Sequence, residues 1–160
     1  MTLAQQLAGA AWVPALPLVK TGNWSLAGSP VSGRIRLRKG PGRADAVELA
    51  GWLGRVEFDS TGLVLFDAKS EEPVARCLDV RKHLWTITID GRRFDCTARS
   101  PTQLRVTDEA GEEILTIALP RLRRRLPVHV SPHLDDALTL HLVALTSVMT
   151  IRLLNRPAAT

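Results

Sequence analysis

The stretch SPHLDDALTLHLVALTSVMTIRLL (Ser131–Leu154) is the part of the chain on which the fold turns. Ser131 suits a helix cap and Pro132 a first helical position. Asp135 and Asp136 then place negative charge in the opening turn and Arg152 places positive charge at the end, as the helix dipole favours. Asn155 before Arg156-Pro157 supplies a stop, so the pattern predicts a helix over 131–154. Its faces are unusual. Thr139, Thr146, Ser147 and Thr150 gather on one side, His141 and Arg152 on the other, with Leu, Val, Ile, Met or Ala between them. No broad charged face is left for water, and the hydroxyls can bond to carbonyls one turn back. A helix apolar all round is enclosed by protein or lies in lipid. Ala137–Leu154 is at the short end of the ~17–25 residues that cross a bilayer, and a crossing would strand His141 in hydrocarbon. Enclosure by protein is the better reading.

Everything before this helix, from Gly33 onward, reads as short strands and turns. GRIRLR (33–38) alternates Arg34, Arg36 and Arg38 against Ile35 and Leu37, a period-two pattern with one cationic face. KGPGRAD (39–45) is a loop by its Gly and Pro content. Strand-like runs follow at 46–58, 62–67, 73–80, 83–90, 92–98, 103–108, 112–119 and 126–130. Asp90-Gly91 between two of them signals a tight hairpin, and DSTG (59–62) and DEAG (108–111) read as turns. LVLFDAKSEEPV (63–74) and LRVTDEAGEEIL (104–115) share L-x-x-x-D-x-x-x-E-E, either a duplicated hairpin or two hairpins with the same turn chemistry. A five-bladed propeller needs more chain than this. Residues 1–32 look separate: a short helix from Thr2 to Trp12, then an irregular lead-in broken by Pro14 and Pro17. The expected organisation is therefore a lead-in over 1–32, one domain over 33–154 and a tail over 155–160.

An apolar helix in a chain of strands is covered on every side if an antiparallel barrel closes around it. That demands about ten or more strands, since smaller barrels fill their interior with their own side chains. The combination resembles the tubby C-terminal-like superfamily, which includes tubby proteins, phospholipid scramblases, the plant LURP-one-related proteins and small bacterial relatives. The likeness is carried by hairpins with acidic turns (FDSTG, TDEAG, TIDG) and by the closing DDALTLHLVALTSVM, over residues 33–154. It implies a mainly β fold: a closed twelve-stranded barrel of short hairpins around a buried hydrophobic C-terminal helix. The runs counted above amount to nine or ten, so VPALPLVK or NWSLAG would have to supply the rest. The alternative is a pleckstrin-homology-like barrel of seven strands capped by one helix, but that helix keeps a polar outer face and this one has none.

Composition bounds function loosely. With 45% apolar and 23% charged residues the chain is able to build one core, so wholesale disorder is disfavoured. Cys77 and Cys96 make neither a disulfide framework nor a zinc spacing. No nucleophile elbow, P-loop or dinucleotide fingerprint is present; His129, His133, Asp135 and Asp136 are the one cluster that suggests a metal, but Pro132 breaks any continuous helix through it and the two carboxylates are better read as helix-dipole partners. The expectation is a non-enzymatic protein without cofactor. The N-terminal apolar run lacks a basic lead and is broken by prolines, which disfavours a signal peptide and favours a cytoplasmic protein, peripheral to a membrane if lipid is its ligand. The net charge of +5, carried mostly by arginine, favours anionic partners. Candidate phosphate or headgroup ligands are Arg34, Arg36, Arg38, Lys39 and Arg43, then Arg92 and Arg93, then Arg121, Arg123, Arg124 and Arg125. The family resemblance points to anionic phospholipid. Nucleic acid ranks below it, because no Phe or Trp is interleaved with these arginines for base stacking. A third reading is a structural protein that docks a protein partner through residues 1–32 with Trp12 and Trp24.

Overall fold

A computed structural model describes residues 1–15, 22–38, 44–60, 62–81, 83–99, 103–118 and 125–154, without the side chains of 59, 79–81, 99 and 154. A four-residue helix, α1 (Leu3–Gln6), precedes twelve strands: β1 (Ala11–Pro14), β2 (Asn23–Ala27), β3 (Gly33–Arg36), β4 (Asp45–Leu49), β5 (Trp52–Asp59) and β6 (Gly62–Asp67), then β7 (Pro73–Arg81), β8 (Leu84–Ile89), β9 (Arg92–Arg99), β10 (Gln103–Thr107), β11 (Glu113–Ala118) and β12 (Leu126–Val130). The long helix α2 (Asp136–Leu154) ends the described chain. Each strand pairs antiparallel with the next, and β1 pairs with β12 through Ala11↔Pro127 and Trp12↔Leu126, which closes the barrel.

Local chemistry accounts for these elements. Period-two alternation sends Val47 and Leu49, Leu104 and Val106, Ile87 and Ile89 inward while their neighbours face out. The hairpins at Ala50-Gly51 and Asp90-Gly91 hold both central residues at positive φ (52° and 82°, 50° and 74°), whose twist matches that of the flanking strands. Two longer turns are built on one aspartate each. Asp67 Oδ1 accepts from the Lys69 and Ser70 amides, and Asp108 Oδ1 from the Ala110 and Glu112 amides. These are the two hairpins that share L-x-x-x-D-x-x-x-E-E, and each also contains a register shift.

Helix α2 fills the lumen. Thr139, Thr146 and Thr150 are buried and donate to carbonyls one turn back, of Asp135, Leu142 and Thr146. The fourth hydroxyl, Ser147, instead accepts the indole N–H of Trp12 at 2.8 Å. The helix is long and apolar enough to cross a membrane, but two-thirds of that window is buried in the barrel.

Three expectations change. The helix begins at Asp136 rather than Ser131, because Asp135 is its cap (Oδ1 accepts from Leu138 N, 2.8 Å) while the Ser131 amide donates to Ile114 and so prolongs the sheet. Residues 1–32 are not a separate lead-in. They supply α1, capped by Thr2, and the strands β1 and β2; α1 is tied to α2 by the Leu3 amide on Asp136 Oδ1. Trp12 is fully enclosed and Trp24 nearly so, which removes the two side chains offered for docking a partner. Finally, the run at 46–58 is a hairpin rather than one strand. Residues 155–160 lie outside the described part.

The Trp12–Ser147 bond joins the lumen wall to the middle of the helix. Ser147→Val leaves a buried indole N–H unpaired and is expected to cost about 1–3 kcal/mol in urea unfolding. In a Trp12→Phe background the same substitution is expected to cost less than half of that.

Candidate functional site

Because neighbouring strands alternate in direction, successive connections alternate between two rims. The upper rim, where α2 begins, holds the connections after β2, β4, β6, β8, β10 and β12. The lower rim, where α2 ends, holds those after β1, β3, β5, β7, β9 and β11. This sorts the charges. Upper-rim connections contain Glu71, Glu72, Asp90, Asp108, Glu109, Glu112 and Asp135 against one cation, Lys69. Lower-rim connections contain Arg38 and Arg125 among the described residues, and no carboxylate anywhere in their sequence.

The predicted arginines divide accordingly. Arg34, Arg36 and Arg38 are exposed on one column that descends the outer wall along β3 to the lower rim, continued past the strand by the Leu37 amide on Gly22 O. Their spacing is about 7 Å per step. None of the three side chains makes an ion pair among the described residues. Arg125 is exposed where β12 begins at the lower rim, but its guanidinium reaches up to Gly28 in the β2–β3 connection of the upper rim. Arg92 and Arg93 are elsewhere: β9 is six strands from β3 in a ring of twelve, and they sit at its upper end. There they pair with Glu109 and Asp95 at 3.9 Å. Lys39, Arg43, Arg121, Arg123 and Arg124 lie outside the described residues.

A group absent from the sequence reading anchors the foot of the column. Asp45, 0% exposed, accepts Nε and Nη2 of Arg152 at 2.5 and 2.6 Å, and its Oδ1 also accepts the Arg38 amide at 3.0 Å. The Arg152 guanidinium, a third exposed, lies 4.5 Å from the centroid of Phe58. Asp45 stands in inward register with Val47 and Leu49, and Arg152 is the only cation of an apolar helix. One lone charge in each of two apolar patterns was the signal that would have paired them.

At the upper rim, His141 of α2 packs on Trp52 (ring centroids 5.3 Å apart), whose indole N–H donates to Asp67 Oδ2 at 2.9 Å. Gly54 makes room for that ring, since a Cβ there would come within 2.4 Å of it. Burial holds the His141 pKa below its ordinary value, against the opposing pull of Asp90, Asp67 and Asp135. The Ser70 amide, the Trp52 indole and the Lys69 amide hold Asp67 below the usual carboxylate range. Burial pushes the Cys96 thiol up, with Cys77 adding to the shift. Among the described residues no three His, Cys, Asp or Glu side chains are grouped to hold a metal. A depression of about 300 Å³ between α1, Ala50 and the start of α2 is lined by Leu3, Gln6, Asp136, Ala137 and Leu140 and contains no reactive pair. No family model, curated protein or solved structure matches this chain.

Two measurements test this geometry. Arg152→Leu strands the Asp45 carboxylate and is expected to cost about 2–4 kcal/mol, reduced from the ~3–5 of a wholly buried pair because the guanidinium is partly hydrated. Asp45→Leu combined with Arg152→Leu is expected to recover most of that loss. The second is pH dependence. A histidine whose folded pKa is depressed binds fewer protons than in the unfolded chain, so stability falls as pH drops below about 6.5. Asp67 adds a separate loss only below about 4. His141→Gln is expected to flatten the first part of an equilibrium-unfolding pH series and leave the second.

Proposed function

We propose that this chain is a non-enzymatic module that binds anionic phospholipid headgroups, at the cytoplasmic face of a membrane, through arginines of the β3 column and of the lower-rim connections. The observation that carries the reading is the separation of paired from unpaired cations. Arg55, Arg92, Arg93, Arg105 and Arg152 each face a carboxylate. Arg34, Arg36 and Arg38 make no ion pair among the described residues, although Glu48 stands opposite Arg34 across β3–β4; they stay exposed and form a row. Guanidinium forks with no internal partner are suited to phosphate oxygens, which they grip in pairs. Lys39, Arg43, Arg121, Arg123 and Arg124 lie outside the described residues and enter the proposal on sequence alone, and Arg125 is exposed. Arg92 and Arg93 drop out of the proposed site, because their neighbours at the upper rim are acidic.

We also read the chain as a remote tubby-like barrel. Twelve antiparallel strands closed around an apolar helix agree with the architecture that the resemblance implies, though fold likeness alone assigns no ligand.

The test is co-sedimentation with phosphatidylcholine vesicles, with and without phosphatidylserine, at low and high salt, beside a duplex DNA control. Binding confined to anionic vesicles and weakened by salt is expected. Replacing Arg34, Arg36 and Arg38 by Gln is expected to weaken it by about 1 kcal/mol per arginine, and replacing Arg121, Arg123, Arg124 and Arg125 by a similar step each. Arg92→Gln with Arg93→Gln serves as the unaffected control. Binding to DNA without vesicle preference would transfer the same arginines to a nucleic-acid backbone.

A further inference from the structure

We infer that the chain meets an anionic bilayer with its lower rim, Phe58 and Leu78 entering the headgroup layer while the acidic upper rim points away; this rests on the phospholipid reading above. Among the described residues the exposed large hydrophobic side chains are Met1, Leu53, Phe58 and Leu78. Two of them lie in the lower halves of β5 and β7. Phe58 pairs with Leu63, which pairs with buried Cys77, while Leu78 pairs with Gly62 one step nearer the tip, so Phe58 lies on the inward side and Leu78 on the outward side of the wall toward the lower rim.

Phe58 belongs by alternation to the inward row of Gly54 and Val56, yet it is 53% exposed, because the lumen ends at its level. Its ring is not loose. It lies on the Arg152 guanidinium, which Asp45 clamps in turn. A held aromatic loses little side-chain freedom on insertion, and an amphipathic interface is where such rings gain most. Arg38 stands at the same rim, its backbone fixed to the same Asp45. Glu57, Asp59 and Asp79 are the other carboxylates toward the lower ends of the flanking strands by sequence.

Charge then selects the orientation. The upper-rim carboxylates are repelled by the surface that attracts the arginines. Strand β5, eight residues long, spans roughly 20 Å along the barrel axis after tilt, against a Debye length of about 8 Å at physiological salt. With the lower rim down, the acidic rim is therefore screened from the bilayer; with the barrel on its side or inverted, it is not. The two rims also complement each other, which makes a second copy stacked head to tail the competing occupant.

The experiment places an environment-sensitive dye on Ser60→Cys, in the β5–β6 connection, or on Glu112→Cys, at the upper rim; both positions are exposed and the native Cys77 and Cys96 are buried. The full chain is titrated with phosphatidylserine-containing vesicles whose acyl chains are brominated. A blue shift and quenching at Ser60→Cys and none at Glu112→Cys is expected. Binding with the opposite or an equal response overturns the orientation and leaves the phospholipid reading standing. Absence of binding overturns both. A dye response that grows with protein concentration and needs no vesicles assigns the rims to self-association and overturns the inference. Leu78→Ala, which touches neither Arg152 nor Asp45, and Phe58→Ala are each expected to lower vesicle partitioning about fivefold with the salt dependence unchanged, and Leu53→Ala to leave it alone. Unchanged partitioning for both lower-rim variants overturns the anchoring role.

Discussion

The constraint on which the rest of this molecule depends is that α2 has no face fit for water. A helix with its side chains is about 10–12 Å across, more than an eight-stranded barrel can admit. Twelve strands make a lumen wide enough, and alternation lines that lumen with aliphatic groups. Small inward residues, Gly54, Ala75, Cys77 and Cys96, share the wall with Leu and Ile. The polar atoms that remain inside are matched: three threonine hydroxyls to the helix's own carbonyls, Ser147 to Trp12, and Asp45 to Arg152.

The same geometry explains what could be read from the chain and what could not. The strands from β6 to β11 announce themselves as apolar-rich runs of five or more residues between recognisable turns. β1 does not, since AWVP is four residues long and contains a proline, and its only strong cue, Trp12, suits a helix, a strand or a docking arm. The β4–β5 hairpin was hidden because its turn uses Ala50, a residue that seldom takes positive φ. The true helix start was hidden by competition: Ser131, Asp135 and Pro132 all carry start signals, and only the ladder bond from the Ser131 amide to Ile114 decides among them.

The arginines were visible from the start, but their grouping was not. Residues far apart in sequence share a rim only when an even number of strands separates their connections, so Arg38 falls at the lower rim while Arg92 falls at the upper with Asp90 and Glu109. Many of the upper-rim carboxylates are already occupied in building the fold. Asp67 and Asp108 shape turns, Asp135 caps α2, and the cluster lies at the helix's positive end. The exposed arginine column of β3 makes no ion pair among the described residues and caps no element of the fold.

The order of elements along the chain has a further consequence for biogenesis. Every strand of the wall precedes the segment that fills it, and the seam closes between the first strand and the last. A ribosome therefore delivers twelve strands with an apolar interior and nothing to put inside them until α2 emerges. For that interval the nascent chain is a sheet with two unpaired edges and an oily concave face, the kind of species that chaperones hold and that aggregates when they do not. The element that fills the barrel is made only after the whole of its wall.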